Sequence, residues 1–180
     1  MRLSFEGPDA GRGVVGWSLR DLASTDLDGL HTERSQAPPA HGGPQPNGVL
    51  GIDHVVAFTP KLERTSAALR AAGLDFRRLR RQPTPGGGGH QAFFRLGEVI
   101  LEVVQAPPGS RLAERPEGPA RLWGLSFLVA DLDATAAELG ELLGEPRDAV
   151  QPGRRIATLR RKAGLGPAIA FMTPGPGVIG

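Results

Sequence analysis

The chain contains no cysteine and no tyrosine, and only two tryptophans and two methionines among its 180 residues. Without thiols there is no disulfide framework, no thiolate metal site and no Cys nucleophile. Without tyrosine, and with no aromatics interleaved among its basic runs, the chain lacks platforms on which bases stack, so nucleic acid is not an expected partner. No uninterrupted apolar stretch of about 18 residues occurs, so no membrane-spanning helix is expected. The opening residues MRLSFEGPDAGRG carry charge with no apolar run behind it, unlike a secretory signal. The expected location is cytoplasmic.

Excess charge of one sign is also scarce. The formal net charge is +2 although the pI is near 9.9. Of the 21 basic residues only Lys61 and Lys162 are lysine; arginine keeps its charge to very high pH and raises the pI without creating a strong field at pH 7. The densest runs, Arg77-Arg78-Leu79-Arg80-Arg81 and Arg154-Arg155 through Arg160-Arg161-Lys162, read as solvated strand faces. What the chain does have in quantity is glycine (26) and proline (17). They gather at 36–48, 83–89, 106–119 and 173–180, as connectors around folded segments. The run Gly86–Gly89 lacks the strand–turn–helix context and lysine of a phosphate loop, so it reads as a hairpin connection.

Between these connectors the sequence repeats itself. His54–Leu69 (HVVAFTPKLERTSAAL) aligns with Gly124–Leu139 (GLSFLVADLDATAAEL) at an offset of 70 residues, matching Leu62 with Leu132, Thr65 with Thr135, Ala67 with Ala137 and Leu69 with Leu139. Each copy starts with a Val/Phe/Leu-rich run that predicts a buried strand. A polar turn and an amphipathic helix follow. Leu62, Leu69 and Ala72 define the helical face of the first copy, stopped by Gly73; Leu132, Ala136, Leu139 and Leu143 define the second, stopped by Gly144. Glu63 in one, and Asp131 and Asp133 in the other, suit the positive end of the helix dipole. Three strands are predicted after each helix: 75–81, 90–96 and 99–105, then 147–151, 154–161 and 168–172. Leu96-Gly97-Glu98 forms a tight turn.

The predicted fold class is therefore α+β, two tandem βαβββ modules with curved mixed sheets enclosing a cavity. Module one spans 51–105, a linker 106–119, and module two 121–174, together a domain at 49–180. Residues 1–48 read as an N-terminal extension: a short strand and helix within Val14–Leu30, a packing role for Trp17, and a Pro/Gly-rich tether at 36–48.

The opening Asp53-His54, the Leu101-Glu102 pair near the end of the fourth strand and the βαβββ repeat resemble the glyoxalase, or vicinal-oxygen-chelate, superfamily over Gly51 to about Pro174. That superfamily includes glyoxalase I, methylmalonyl-CoA epimerase, extradiol dioxygenases and bleomycin-resistance proteins. The resemblance implies a divalent metal (Fe, Mn, Ni, Co or Zn) held by side chains from the first and fourth strands of each module. His54 and Glu102 fall on two of those positions. Gly124 and Ala170 fall on the other two and have no donor atom. His90 is a third candidate ligand, making two histidines and a carboxylate.

Apart from any metal, a glutamate flanked by Ile100, Leu101, Val103 and Val104 is costly to bury without a partner, and His54 is the natural one. Glu102 and His54 are thus candidates for an acid/base couple. Gln91, Phe93, Trp123 and Arg155 are expected to join them in lining a ligand site, and Gln151 is a further candidate for an anion. Ser126 lacks the setting of a nucleophile elbow. The first functional reading is a small-molecule-binding protein, as in bleomycin resistance, without the full catalytic metal site. The second is a metal-dependent lyase, isomerase or dioxygenase; the third is a dimerisation module. The expected partners are a small-molecule ligand and a second copy in a homodimer.

Overall fold

The structure, a computed structural model, describes residues 9, 11, 13–38, 45–82 and 89–175. Residues 39–44 of the tether and 83–88 of the glycine-rich connection lie outside the described residues, as do 176–180. Both repeats form. In module one, β3 (Val49–Thr59) leads to α1 (Leu62–Ala71), β4 (Asp75–Arg80), β5 (Gln91–Leu96) and β6 (Val99–Gln105); in module two, β7 (Arg121–Val129) leads to α2 (Leu132–Leu139), β8 (Arg147–Asp148), β9 (Arg155–Thr158) and β10 (Ala168–Met172).

These eight strands make one sheet in the order β4-β5-β6-β3-β7-β10-β9-β8. β3 runs parallel to β6, β7 parallel to β10, and β3 meets β7 antiparallel at the centre. Reading outward from that seam gives the same strand sequence on both sides, a pseudo-twofold arrangement of two βαβββ units. The modules thus join edge to edge into one eight-stranded mixed sheet.

The helices cover one face. Val55, Ala57, Leu101, Val103, Ala92 and Phe94 point to that face and pack with Leu62 and Leu69 of α1 into the larger core cluster. Val129, Leu132, Leu143 and Ala157 form a smaller cluster under α2. α1 ends as its sequence implies: Gly73 takes φ +92°, and Leu74 N–H donates to Leu69 O at 3.1 Å. The Asp131 carboxylate caps α2 by accepting from the Asp133 and Ala134 amides at 2.9 and 3.0 Å. That helix stops at Gly140 (φ +50°), a turn before the expected Gly144, and a 3₁₀ turn completes it. Gly97 at φ +68° makes the two-residue β5–β6 hairpin.

The N-terminal region differs from expectation. No helix forms within Val14–Leu30; the segment contributes β1 (Trp17–Leu19), which pairs in parallel with β2 (Thr32–Arg34). Trp17 does pack, and its indole N–H donates to Thr32 Oγ1 at 2.6 Å. More consequential are Leu27 and Leu30, which are buried in the larger cluster with α1. Asp28 between them adopts φ +57° and accepts from Arg64 Nε at 2.7 Å and from the Thr65 hydroxyl at 2.5 Å. The inter-module linker is tied to the same point: Arg64 donates to Pro116 O at 3.0 Å, and Ala120 N–H to Asp28 O at 2.8 Å. Residues 17–34 are therefore part of module one's core. Burial of leucine outweighed the low sequence pattern of this stretch.

Candidate functional site

Cross-strand pairing decides which side chains share a face. Glu102 on β6 lies opposite Val56 on β3 and Phe93 on β5; His54 lies opposite Ser126 on β7, which lies opposite Ala170 on β10. All of these point away from the helices. Module one thus brings His54, Gln91, Phe93 and Glu102 together on the uncovered face.

His54 Nε2 is 3.8 Å from Glu102 Oε2, with side-chain exposures of 14% and 18%. The Gln91 side-chain amide donates to the other Glu102 oxygen. Burial pushes the Glu102 carboxyl up, and outweighs the downward pull of the His54 charge, the Gln91 hydrogen bond and the Arg80 and Arg78 charges. Two further buried oxygens on this face, Gln91 Oε1 and Ser126 Oγ, have no hydrogen-bond partner among the described residues. The site is a half-buried polar floor with acceptor capacity left over.

A β-bulge adds a residue that regular alternation would hide. The register slips between Ile52 and His54, so Asp53 is the extra residue and its carboxylate reaches the same side as its neighbour's ring. Asp53 Oδ2 accepts from His54 Nδ1 at 2.7 Å, and Asp53 Oδ1 accepts from Arg154 at 2.7 Å. Arg154, itself 12% exposed, also donates to Thr173 O at 2.9 Å. Burial would raise the Asp53 carboxyl, but hydrogen bonds and charge from His54 and Arg154 prevail and hold it below the usual range. A carboxylate on Nδ1 fixes the ring's orientation and turns Nε2 towards Glu102. A second slip between Val56 and Ala57 makes Trp123 the extra residue on β7. It packs edge-on against Phe58, centroids 5.1 Å apart, and remains 50% exposed at the rim of this face.

Two expected site residues lie elsewhere. Arg155 sits on the helix-covered side, in a bidentate pair with Asp133 of α2 at 2.7 and 3.0 Å. The inward position belongs to Arg154, the loop residue just before β9, which reaches Asp53. His90 is exposed, and Gln105 N–H donates to its carbonyl at 2.9 Å; it precedes Gln91 in extended chain, so its side chain projects to the opposite face from Glu102. Arg154 and Asp53 were hidden because a bulge and a loop-borne arginine leave no periodic signal; only the adjacency of Asp53 to His54 hinted at them.

Gly124 and Ala170 occupy their expected places on the open face. A Cβ at Gly124 would lie 2.4 Å from the Ala168 carbonyl oxygen, so β7 can approach β10 only without a side chain there. No group of three or more His, Cys, Asp or Glu that could hold a metal converges among the described residues. Two clefts lie away from the dyad. One of about 570 Å³ lies between Ala136 and Lys162 in module two, and one of about 500 Å³ is lined by Arg78–Gln82 at the outer edge of module one.

The raised carboxyl gives a first expected result. An acid raised in the folded state carries no penalty below its ordinary value near 4.5, and a penalty that grows as pH climbs through that value towards the folded one. Glu102→Gln should therefore gain stability over the parent chain between pH 4 and pH 7, read by urea unfolding at both pH values. A variant that loses ground on going to pH 7 would show that His54 and Gln91 outweigh burial.

No protein-family model matches the chain, and no curated protein does. Solved structures do. Methylmalonyl-CoA epimerase from Mycobacterium tuberculosis superposes with a TM-score of 0.60 at 19% identity, covering 74% of this chain and 94% of that one. A variant of the Streptomyces coelicolor epimerase, in complex with 2-nitronate-propionyl-CoA, gives 0.56 at 23% identity, covering 71% and 99%. A hypothetical protein from Bacillus halodurans gives 0.56 at 17%, covering 72% and 97%. This likeness establishes the glyoxalase/bleomycin-resistance-like α+β fold. No helix among the described residues is long and apolar enough to cross a membrane.

Proposed function

We propose that the chain binds a small organic ligand on the uncovered face of the sheet, over His54 and Glu102, with Gln91, Phe93 and Trp123 lining the site and without the full four-donor metal centre of its superfamily. The observation that carries this reading is the Glu102 carboxylate, held in an apolar strand between Gln91 and His54 on a face the helices leave open. Such a group is costly to keep half-buried, and a hydrogen-bonding ligand offsets that cost. Gln91 Oε1 and Ser126 Oγ, buried beneath the same face, have no hydrogen-bond partner among the described residues. Trp123 and Phe93 provide apolar surface beside the polar floor, the usual make-up of a small-molecule site.

The donor set does not suit a tightly held divalent metal. It consists of one imidazole nitrogen and one carboxylate already engaged by an amide, while Gly124 and Ala170 offer nothing. The dyad is instead suited to handling a proton: Glu102 retains one to higher pH than an ordinary glutamate, and His54 Nε2 lies beside it. An isomerase-like activity on a carbon acid is the second reading, favoured by that pairing and by the likeness to epimerases. Neighbours of this fold hold methylmalonyl-CoA and a nitronate analogue, so acyl thioesters belong among the compounds to try.

The test combines metal analysis with a thermal-shift screen of aromatic compounds and acyl-CoA thioesters, on the parent chain and on His54→Ala and Glu102→Ala. The expected result is well under one metal per chain, and a ligand whose affinity falls at least about tenfold in both variants. Stoichiometric Fe, Mn, Ni, Co or Zn lost on either substitution would instead establish the metalloenzyme reading.

A further inference from the structure

The outer strand of module one carries two arginines on the same face as the dyad. Arg78 lies opposite Phe93, which lies opposite Glu102; Arg80 lies opposite Gln91. β4 is the sheet edge, so nothing flanks these side chains on the outer side within the sheet. The Arg78 guanidinium carbon sits 4.7 Å from the centroid of the Phe93 ring, a cation–π contact that ties this arginine to the face carrying Glu102. Neither Arg78 nor Arg80 is ion-paired with a carboxylate at contact distance among the described residues, whereas Arg77, the bulge residue before Arg78, is paired with Asp75 at 3.2 Å.

Two like charges one pleat apart, on one face and without counterions, repel each other and favour a shared anion. Their field already reaches Glu102, where it opposes the effect of burial. A cleft of about 500 Å³ along this edge is lined by Arg78–Gln82. With strands about 4.8 Å apart, the Arg78 and Glu102 backbones are about 10 Å apart across β5, a span that one small molecule can bridge.

We propose that Arg78 and Arg80 form an anion-binding arm of this site, taking a carboxylate or phosphate group of an elongated organic acid whose other polar end lies at His54 and Glu102. The arm depends on the ligand-binding reading above only for the direction in which the ligand extends. Carboxylate and phosphate are the two forms of the shared chemistry, and the probes separate them.

The experiment follows the arginine Nε–H and glutamine side-chain amide signals by NMR while the full-length chain is titrated with inorganic phosphate or with adipate, at constant ionic strength set by chloride. Saturable shifts of Arg78 and Arg80 are expected, with the tighter of the two probes naming the preferred anion, and adipate also moving Gln91. The Arg78→Ala/Arg80→Ala double variant should weaken binding at least about tenfold, and Arg77→Ala by less than about twofold. Phosphate binding that survives His54→Ala but disappears in the double variant upholds the arm even if the dyad binds nothing. No saturable shift with either probe, or equal losses in Arg77→Ala and the double variant, overturns it and leaves the reading of the dyad untouched.

Discussion

Gly124→His is expected to cost at least about 2 kcal/mol of folding stability and to bind no metal, although it places a histidine where the superfamily pattern has a first-strand ligand. The reason is steric. A Cβ at this position meets the Ala168 carbonyl oxygen at 2.4 Å and the Ala168 Cβ at 3.0 Å, and the nearest atom belongs to backbone held in the parallel β7–β10 ladder. Backbone in a ladder cannot swing aside as a side-chain tip can, so relief requires separating the two strands. Ala170 is the contrasting case. It faces Ser126 and Thr158 on the open side and is only partly buried, so Ala170→Glu should fold with a smaller loss. Urea unfolding of both variants, with metal content measured after dialysis against zinc or nickel, checks the pair. A Gly124→His chain of parental stability would show that the strands separate freely and that the missing donor is one substitution away.

The second large effect concerns the N-terminal region. Leu27→Ala should lower stability by about 2–5 kcal/mol, because Leu27 is wholly buried among residues of α1, β5 and β6, and its removal leaves a cavity in the main core. Deleting residues 1–38 removes Leu30 and the Asp28 anchor as well, and strips Arg64 and Thr65 of the Asp28 carboxylate they share. The shortened chain is expected to lose its cooperative thermal transition. That result would move the start of the domain from residue 49 to before Trp17. A chain starting at residue 45 that melts at the parental temperature would restore the earlier boundary.

These outcomes show where the sequence was informative. The repeat was visible because both modules must bury the same helix face against the same strand pattern, so Leu62 and Leu132, and Leu69 and Leu139, recur in register. His54 and Glu102 could be paired because β3 and β6 are regular between them. Legibility ends at irregularities. At the start of β9 the pattern does not tell two adjacent arginines apart: Arg154, just before the strand, reaches Asp53, while Arg155 pairs with Asp133 on the helix side. The bulges at Asp53 and Trp123 are set by how β3 and β7 fit each other, a long-range property that local pattern does not record. The docking of Leu27 and Leu30 was missed for the same reason, since their partners lie more than thirty residues away in α1.

The Arg154–Asp53 bridge crosses the seam between the two halves and has a bearing on how such duplicated proteins diverge. The second half contains no histidine, yet through one guanidinium it holds the carboxylate that engages the first half's imidazole. One copy performs and the other steers. A second half without an arginine at this place would leave the Asp53 carboxylate tied to the ring alone, so the aim of the first half's histidine depends on one residue of the other copy.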